Sequence, residues 1–211
     1  MTARLRGLPA GRAGRMWLRR RLVVAVHGGD LLDRKIRILL AEEQSFGLRV
    51  EQTRAEWVAA VRDLDRWMLR ASLLSGDRGL RLAHDGADAE VDVEWRLTMG
   101  VRYPAQATCR VPERSPATPV PDNSALVHAT RAAERAVRAG VDQAVASTAL
   151  DAVRSEIAAT RRQLRAVTDR WIPRLEEARG ALDASLDEQE HDEGVRLRWA
   201  ATRAPVRRGR R

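Results

Sequence analysis

From Leu22 onward, apolar residues recur at alternating steps of three and four: Leu22, Ala25, Gly29, Leu32, Ile36, Leu39, Glu43, Phe46, Val50, Thr53, Trp57, Ala60, Leu64 and Trp67. The mean spacing of about 3.5 residues is that of a coiled-coil seam, where side chains of one helix enter holes on a second. Glu43 and Thr53 interrupt its apolar character, and Gly29 leaves a packing gap. The pattern predicts a first long helix over 15–72, roughly 85 Å at 1.5 Å per residue.

A second pattern starts after "PVPDNSA", where Ser124 is placed to cap a helix N-terminus. It runs through Leu150, Val153, Ile157, Thr160, Leu164, Val167 and Trp171. Strict continuation would bring Arg174 onto the seam; one extra four-residue step restores Leu175, Ala178, Leu182 and then Ser185 or Leu186. The slip coincides with Pro173, which lacks an N–H and collides with the carbonyl four residues back. A second helix over 124–200 with a bend at Pro173 is expected.

Between the helices the period changes to two. Val91, Val93, Trp95 and Leu97 alternate with Asp92, Glu94 and Arg96, as in a half-exposed strand. Val101, Tyr103, Ala107, Cys109 and Val111 suggest one or two partners, Gly100 a turn, and "VPERSPATPVPDN" a loop returning to helix. The expected fold is therefore dominated by α-helix: one elongated domain over 1–211 in which a long antiparallel two-helix coiled coil carries a small β-hairpin insertion, 73–123, at its distal end. Residues 1–14 and 201–211 are read as basic, flexible ends. With the helix ends level, Glu43 would face Pro173 and Arg174, Gly28 and Gly29 would face Leu186, and Trp17 would neighbour Trp199 at one basic tip.

Charge refines this picture. The chain carries +9 overall, but residues 1–21 hold seven arginines and no acid, residues 194–211 hold seven more and no acid, and the span between them is net −5. A continuous nucleic-acid stripe is not supported, although a basic tip leaves a scaffold or nucleic-acid-binding protein as the alternative reading. Arg12, Arg15, Trp17, Arg19, Trp199 and Arg203 are the candidate partner contacts at that tip. The single cysteine, Cys109, excludes an internal disulfide and a cysteine-rich zinc site. The only apolar run near the start, Leu22 to Val26, is too short for a signal peptide, and no run is long enough to span a membrane, so a cytoplasmic setting is expected.

Catalytic signatures are missing from the sequence: "GRAGR" has neither the spacing nor the Lys-Ser/Thr of a phosphate-binding loop, and Cys109 has no histidine near it in sequence. The acidic run "DEQEHDE", 187–193, reads as a solvated helix face, and no cofactor or metal is expected. Trp57 and Trp171, with the rest of the seam, read as packing residues rather than as stacking platforms for bases.

Three motifs carry a family resemblance. "RLVVAVHGGDLLDRK" (21–35) resembles the R-L-x-x-A-x-x-G-x-x-L-L-x-x-K signature of the D subunits of V-type and archaeal-type (A-type) ATPases and ATP synthases, matching at Arg21, Leu22, Ala25, Gly28, Leu31, Leu32 and Lys35. "MGVRYP", with Met99 and Gly100, is similar to that family's M-G-V-x-x-P segment, and "RRQLRAVTDRWIPRLEEA", with Pro173 and Arg174, to its second-helix signature. The chain departs from the family pattern at Ile36-Arg37 and in its opening "PAGR". The resemblance implies a non-catalytic central-stalk rotor subunit. Its partners would be the F subunit, the catalytic hexamer of A and B subunits, and an adaptor subunit leading to the membrane rotor ring. It would bind no nucleotide and would lie at the membrane periphery on the cytoplasmic side without inserting.

Overall fold

The computed structural model describes Gly7 and residues 9–83, 88–112 and 123–203. In chain order they form helix α1 (Gly11–Ala83), strands β1 (Glu90–Thr98) and β2 (Val101–Arg110), helix α2 (Ser124–Arg165), a π-helical segment (Ala166–Trp171) and helix α3 (Ile172–Arg203). The fold is helix-dominated, with one small antiparallel hairpin, as the periodicity implies. The chain divides into two compact units: Lys35–Ala159, and a second unit that combines the chain up to Arg34 with the chain from Thr160 onward.

In the unit Lys35–Ala159, α1 and α2 run antiparallel. Their contacts descend in order from Asn123–Ser75 through Arg135–Asp63 and Gln143–Thr53 to Glu156–Lys35. The α2 side of the seam follows steps of four and three: Ala125, Ala129, Ala132 and Ala136 are buried, Ala139 and Gln143 half-buried, and Ala146, Leu150, Val153 and Ile157 buried again. Such small side chains let the helices approach closely, and bulk is supplied from α1. A Cβ added to Gly140 would lie 3.2 Å from Trp57 Nε1, so the indole occupies the space above that glycine.

The turnaround explains where the helices end. Gly76 leaves helical geometry at φ 62°, ψ −177°, a conformation open to a residue without Cβ, and a short helical piece continues to Ala83. The expected end at Ser72 thus moves outward to this break. Asn123, not Ser124, caps α2: its Oδ1 accepts from Leu126 N–H at 3.0 Å, while its amide donates to Ser75 Oγ. The neighbouring asparagine reaches the orphan donor, so Ser124 is already the first helical residue.

The hairpin pairs Thr98 with Val101 around Met99-Gly100, whose φ values of 50° and 82° are those of a type I′ turn. A bulge interrupts the pairing at Glu94/Trp95. Only β2 is seated: Val101 and Tyr103 join Leu39, Phe46, Ala149, Leu150, Val153 and Ile157 in one buried cluster, with Phe46 and Tyr103 edge to face at 5.1 Å. β1 is exposed along nearly its whole length. Although the chain enters the insertion at the α1–α2 turnaround, the hairpin packs on the middle of those helices, because that is where Phe46 offers an aromatic edge.

In the second unit, Leu18, Ala25 and Leu175 form the buried centre, with Trp17, Leu22, Val167, Ile172, Ala178 and Leu182 packed around it. Here the structure corrects the expected pairing. Arg15 meets Asp183, and a Cβ on Gly29 would sit 3.9 Å from Leu164, not beside Leu186. The expectation assumed level helix ends. Instead the turnaround fixes the pairing, and α3 continues about three turns beyond Glu190, which Arg12 reaches near the start of α1. The helix also begins at Gly11 rather than Arg15, with Gly14 lying so close under Pro9 O that a Cβ would approach to 2.1 Å.

Candidate functional site: a keyed helical seam

The residues singled out by periodicity separate by depth. Ala25, Gly29, Ile36, Leu39, Phe46, Val153, Ile157 and Leu175 are buried, whereas Leu22, Leu32, Val50, Leu64, Leu164, Val167 and Leu182 are half-buried. Trp57 and Trp171 lie at the margin, 41% and 36% exposed, and are not interior side chains. The expected seam placed both at its centre. A straight step pattern ignores the space an indole needs, and Trp57 gains that space only by spreading over Gly140. Trp171 closes the π segment, in which no residue is buried. Leu18 and the alanines of α2 were not among the predicted seam residues. Leu18 extends the same pattern one step N-terminal of Leu22, and alanine is too common here to stand out without the strict four-three spacing.

Polar groups key the seam of the unit Lys35–Ala159. Thr53, buried against α2, donates to Gln143 Oε1 at 2.6 Å, and Lys35 Nζ donates to Glu156 at 2.6 Å. Glu43, expected opposite Arg174, accepts from Arg154 Nε at 2.8 Å, and Arg135 meets Asp63 at 2.6 Å. Individually such partly exposed ion pairs contribute about 0–1 kcal/mol. Their greater effect is on register, since a slide of one helical turn would part Thr53 from Gln143 and break the pairs at Lys35, Glu43 and Asp63 together.

At Pro173 the extra seam step takes the form of a π turn. Eight residues separate Val167 from Leu175 where a heptad allows seven, and the surplus residue is absorbed by a widened turn in which Ile172 N–H reaches back to Val167 O. That i→i−5 bond ends the segment at the residue before Pro173, whose missing N–H could not have continued an α-helical ladder. Pro173 itself is half-buried and Arg174 exposed.

The candidate partner residues are spread along the second unit. Arg12 pairs with Glu190 at 3.1 Å, and Arg15 lies 3.9 Å from Asp183. The Arg21 guanidinium stands 5.0 Å above the Trp17 ring, Trp17 itself being half-buried, and Arg19 is exposed. Trp17 packs beside Leu18 and Leu175, whereas Trp199 lies on the continuation of α3, 58% exposed beside the exposed Val195 and Leu197. The two indoles do not form a clasp, because α3 outruns α1. Arg203 is the last residue of α3; its side chain, and the outermost basic residues 1–6 and 204–211, lie outside the described residues. Of the signature positions, Lys35 is ion-paired, Met99-Gly100 makes the hairpin turn, and Gly28 opens to empty space.

Among the described residues no cluster of His, Cys, Asp or Glu side chains is placed to hold a metal ion, and no helix is long and apolar enough to cross a membrane. The geometry is suited to holding two helices in fixed register.

Proteins of one family resemble the chain along most of its length. A model of the family of ATP synthase D subunits matches residues 16–202. The chain is 30% identical over 187 residues to the D subunit of the A-type ATP synthase of Methanopyrus kandleri, covering 86% of this chain and 80% of that protein. It is 28% identical over 204 residues to the D subunit of the V-type ATP synthase of Anaeromyxobacter sp., covering 94% and 95%. Against the D subunit of the A-type ATP synthase of Methanobrevibacter smithii it is 26% identical over 191 residues, covering 86% and 80%.

Proposed function

Because the chain belongs to the family of ATP synthase D subunits, we propose that it is the non-catalytic central-stalk subunit of a V-type or A-type ATP synthase. In this reading it carries torque between a catalytic hexamer of A and B subunits and a membrane ion-translocating ring. The F subunit binds its side, an adaptor subunit joins it to the ring, and the assembly lies at the cytoplasmic face of the membrane. The continuation of α3 with Trp199 is the natural element to seat in the adaptor, because it has exposed apolar side chains between arginines.

The observation that supports this most is the keyed seam. A torque-bearing helix pair must resist sliding, and side chains locked in close-packed holes leave them only at the cost of many contacts at once. The Thr53–Gln143 and Lys35–Glu156 contacts add a penalty for every wrong register. Each catalytic site around such a subunit would respond through its differing affinity for the faces presented to it.

The test is co-expression of the tagged chain with the A, B and F subunits encoded in the same genome. The expected result is recovery of a complex containing all four, with ATP hydrolysis confined to it. Recovery of the tagged chain alone would sink the proposal.

A further inference from the structure

Among the described residues, strand β1 has an edge with no strand beside it. Every side chain from Glu90 to Leu97 is exposed, including Glu94 and Arg96 on the face it shares with buried Tyr103, so α1 and α2 do not cover that edge. Free edges are ordinarily blunted by shortness, proline, a bulge or charge, lysine above all. β1 is nine residues long and has neither proline nor lysine. The surplus residue of the bulge is Ala105 on β2, since Glu94 pairs with Gln106 and Trp95 with Pro104. What β1 does carry is Asp92, Glu94 and Arg96, alternating with the exposed apolar row Val91, Val93, Trp95 and Leu97. Those charges select which strand can lie alongside.

We propose that this edge pairs antiparallel with β1 of a second copy of the chain, joining the two hairpins into one four-stranded sheet. The order of residues in β1 is complementary to its own reverse in one register. Trp95 opposite Trp95 sets Val93 against Leu97 and Glu94 against Arg96, each twice, with Asp92 against Thr98. Because side chains alternate between faces, the nearest registers that keep apolar residues opposite apolar ones centre the pairing on Val93, Glu94 or Arg96. The first opposes Asp92 to Glu94, the second Glu94 to Glu94, and the third Arg96 to Arg96. Opposite charges facing each other across strands stabilise and like charges destabilise, so only the register centred on Trp95 satisfies every charge. Neither Glu94 nor Arg96 forms an ion pair among the described residues, and both are available for it. One added strand buries less than the roughly 1,000 Å² of a lasting dimer, so the pairing is reversible and depends on concentration. It is a property of the chain outside any larger assembly and does not rest on the stalk reading.

Sedimentation equilibrium of the purified full-length chain between about 5 and 200 µM tests this. The wild type is expected to pass from monomer toward dimer across that range. Arg96→Glu opposes acid to acid at both charge pairs, and Glu94→Arg opposes arginine to arginine; each should weaken self-association at least tenfold. Mixed in equal amounts, the two variants should associate again within about threefold of wild type, because every acid of one then faces an arginine of the other. Both altered side chains are exposed, so each variant should melt within about 2 °C of wild type, which separates lost pairing from lost fold. A wild type that stays monomeric throughout would overturn the proposal and leave the edge to a strand of another protein. Failure of the mixed variants to associate would overturn it too. A dimer that survives both charge variants but is lost in Leu97→Glu would be held by stacked apolar faces, and the edge pairing would be wrong.

Discussion

In the unit Lys35–Ala159 the α1–α2 seam is covered by a third element, the strand β2, which brings Val101 and Tyr103 into the buried cluster. In the unit formed by the chain up to Arg34 and from Thr160, the described core consists of helical residues alone, centred on Leu18, Ala25 and Leu175. The first seam is a regular series of heptads with small residues on α2. The second contains an added residue and a π turn with nothing buried. Regularity and a third layer make a seam that resists local opening, whereas a two-helix seam with an irregular turn opens more readily. In a torque-carrying subunit the two would serve as a stiff part and a more compliant part.

The largest expected effect tests the stiff part. Leu39 is 1% exposed and lies in the cluster under the hairpin. Leu39→Asp buries a charge without a partner and should cost about 3–5 kcal/mol in urea unfolding. Leu32→Asp, at a half-buried position of the second unit, should cost only about 1–2 kcal/mol because the carboxylate can turn toward water. Equal losses would show that burial does not separate the two seams.

Next is the aromatic link between helix and hairpin. Phe46→Ala should lower stability by about 3–4 kcal/mol. Combined with Tyr103→Ala in a double-mutant cycle, it should reveal a coupling of about 0.5–1.5 kcal/mol for the edge-to-face pair at 5.1 Å. A coupling near zero would mean that the hairpin rests on the helices without bracing them.

How much of this was legible in the sequence depended on the kind of signal. The three-four spacing from Leu22 to Leu64 and the alternation from Val91 to Leu97 specified element types, because a buried face imposes its own period. The pairing of the helices was not legible. Periodicity says which face of a helix is buried but not what lies opposite, and here that goes with where the chain turns, at the Gly76 break and the Asn123–Ser75 contact, and with the polar pairs along the seam. The burial of β2 rather than β1 also escaped notice, since the apolar side chains of Val91, Val93, Trp95 and Leu97 look like core in sequence and are exposed in the fold. Their alternation records a strand, and Phe46 decides which strand is covered.

The slip at Pro173 was legible as an event but not as a shape, and this gives a third prediction. If the surplus residue between Val167 and Leu175 causes the π turn, Pro173→Ala should leave it in place and change stability by no more than about 1 kcal/mol. Deleting exposed Arg170 in the same background should convert the segment to α-helix. Val167 would then lie four residues before Ile172 instead of five, so the same N–H to carbonyl bond closes an α-turn, which helical i, i+3 and i, i+4 proton contacts in NMR would read directly. Loss of the π turn in Pro173→Ala alone would assign it to the proline.

The smallest effect separates the two seams most finely, through a glycine in each. Gly29 is buried, but a Cβ there would lie 3.9 Å from Leu164 and 4.0 Å from Thr168, ordinary contact distances. Gly29→Ala should therefore gain nearly the full helix-propensity difference, about 1 kcal/mol, and raise the melting temperature by about 2–4 °C. Gly140→Ala offers the same propensity gain, yet its Cβ would press to 3.2 Å on Trp57 Nε1, so the indole must shift outward and give up part of its packing on the opposing helix. That substitution should leave the melting temperature unchanged or lower it. The sign of the difference is the test. If both alanines stabilise equally, Trp57 is not locked over Gly140, and the contrast between a tight seam and a loose one fails at the place where it is drawn most sharply.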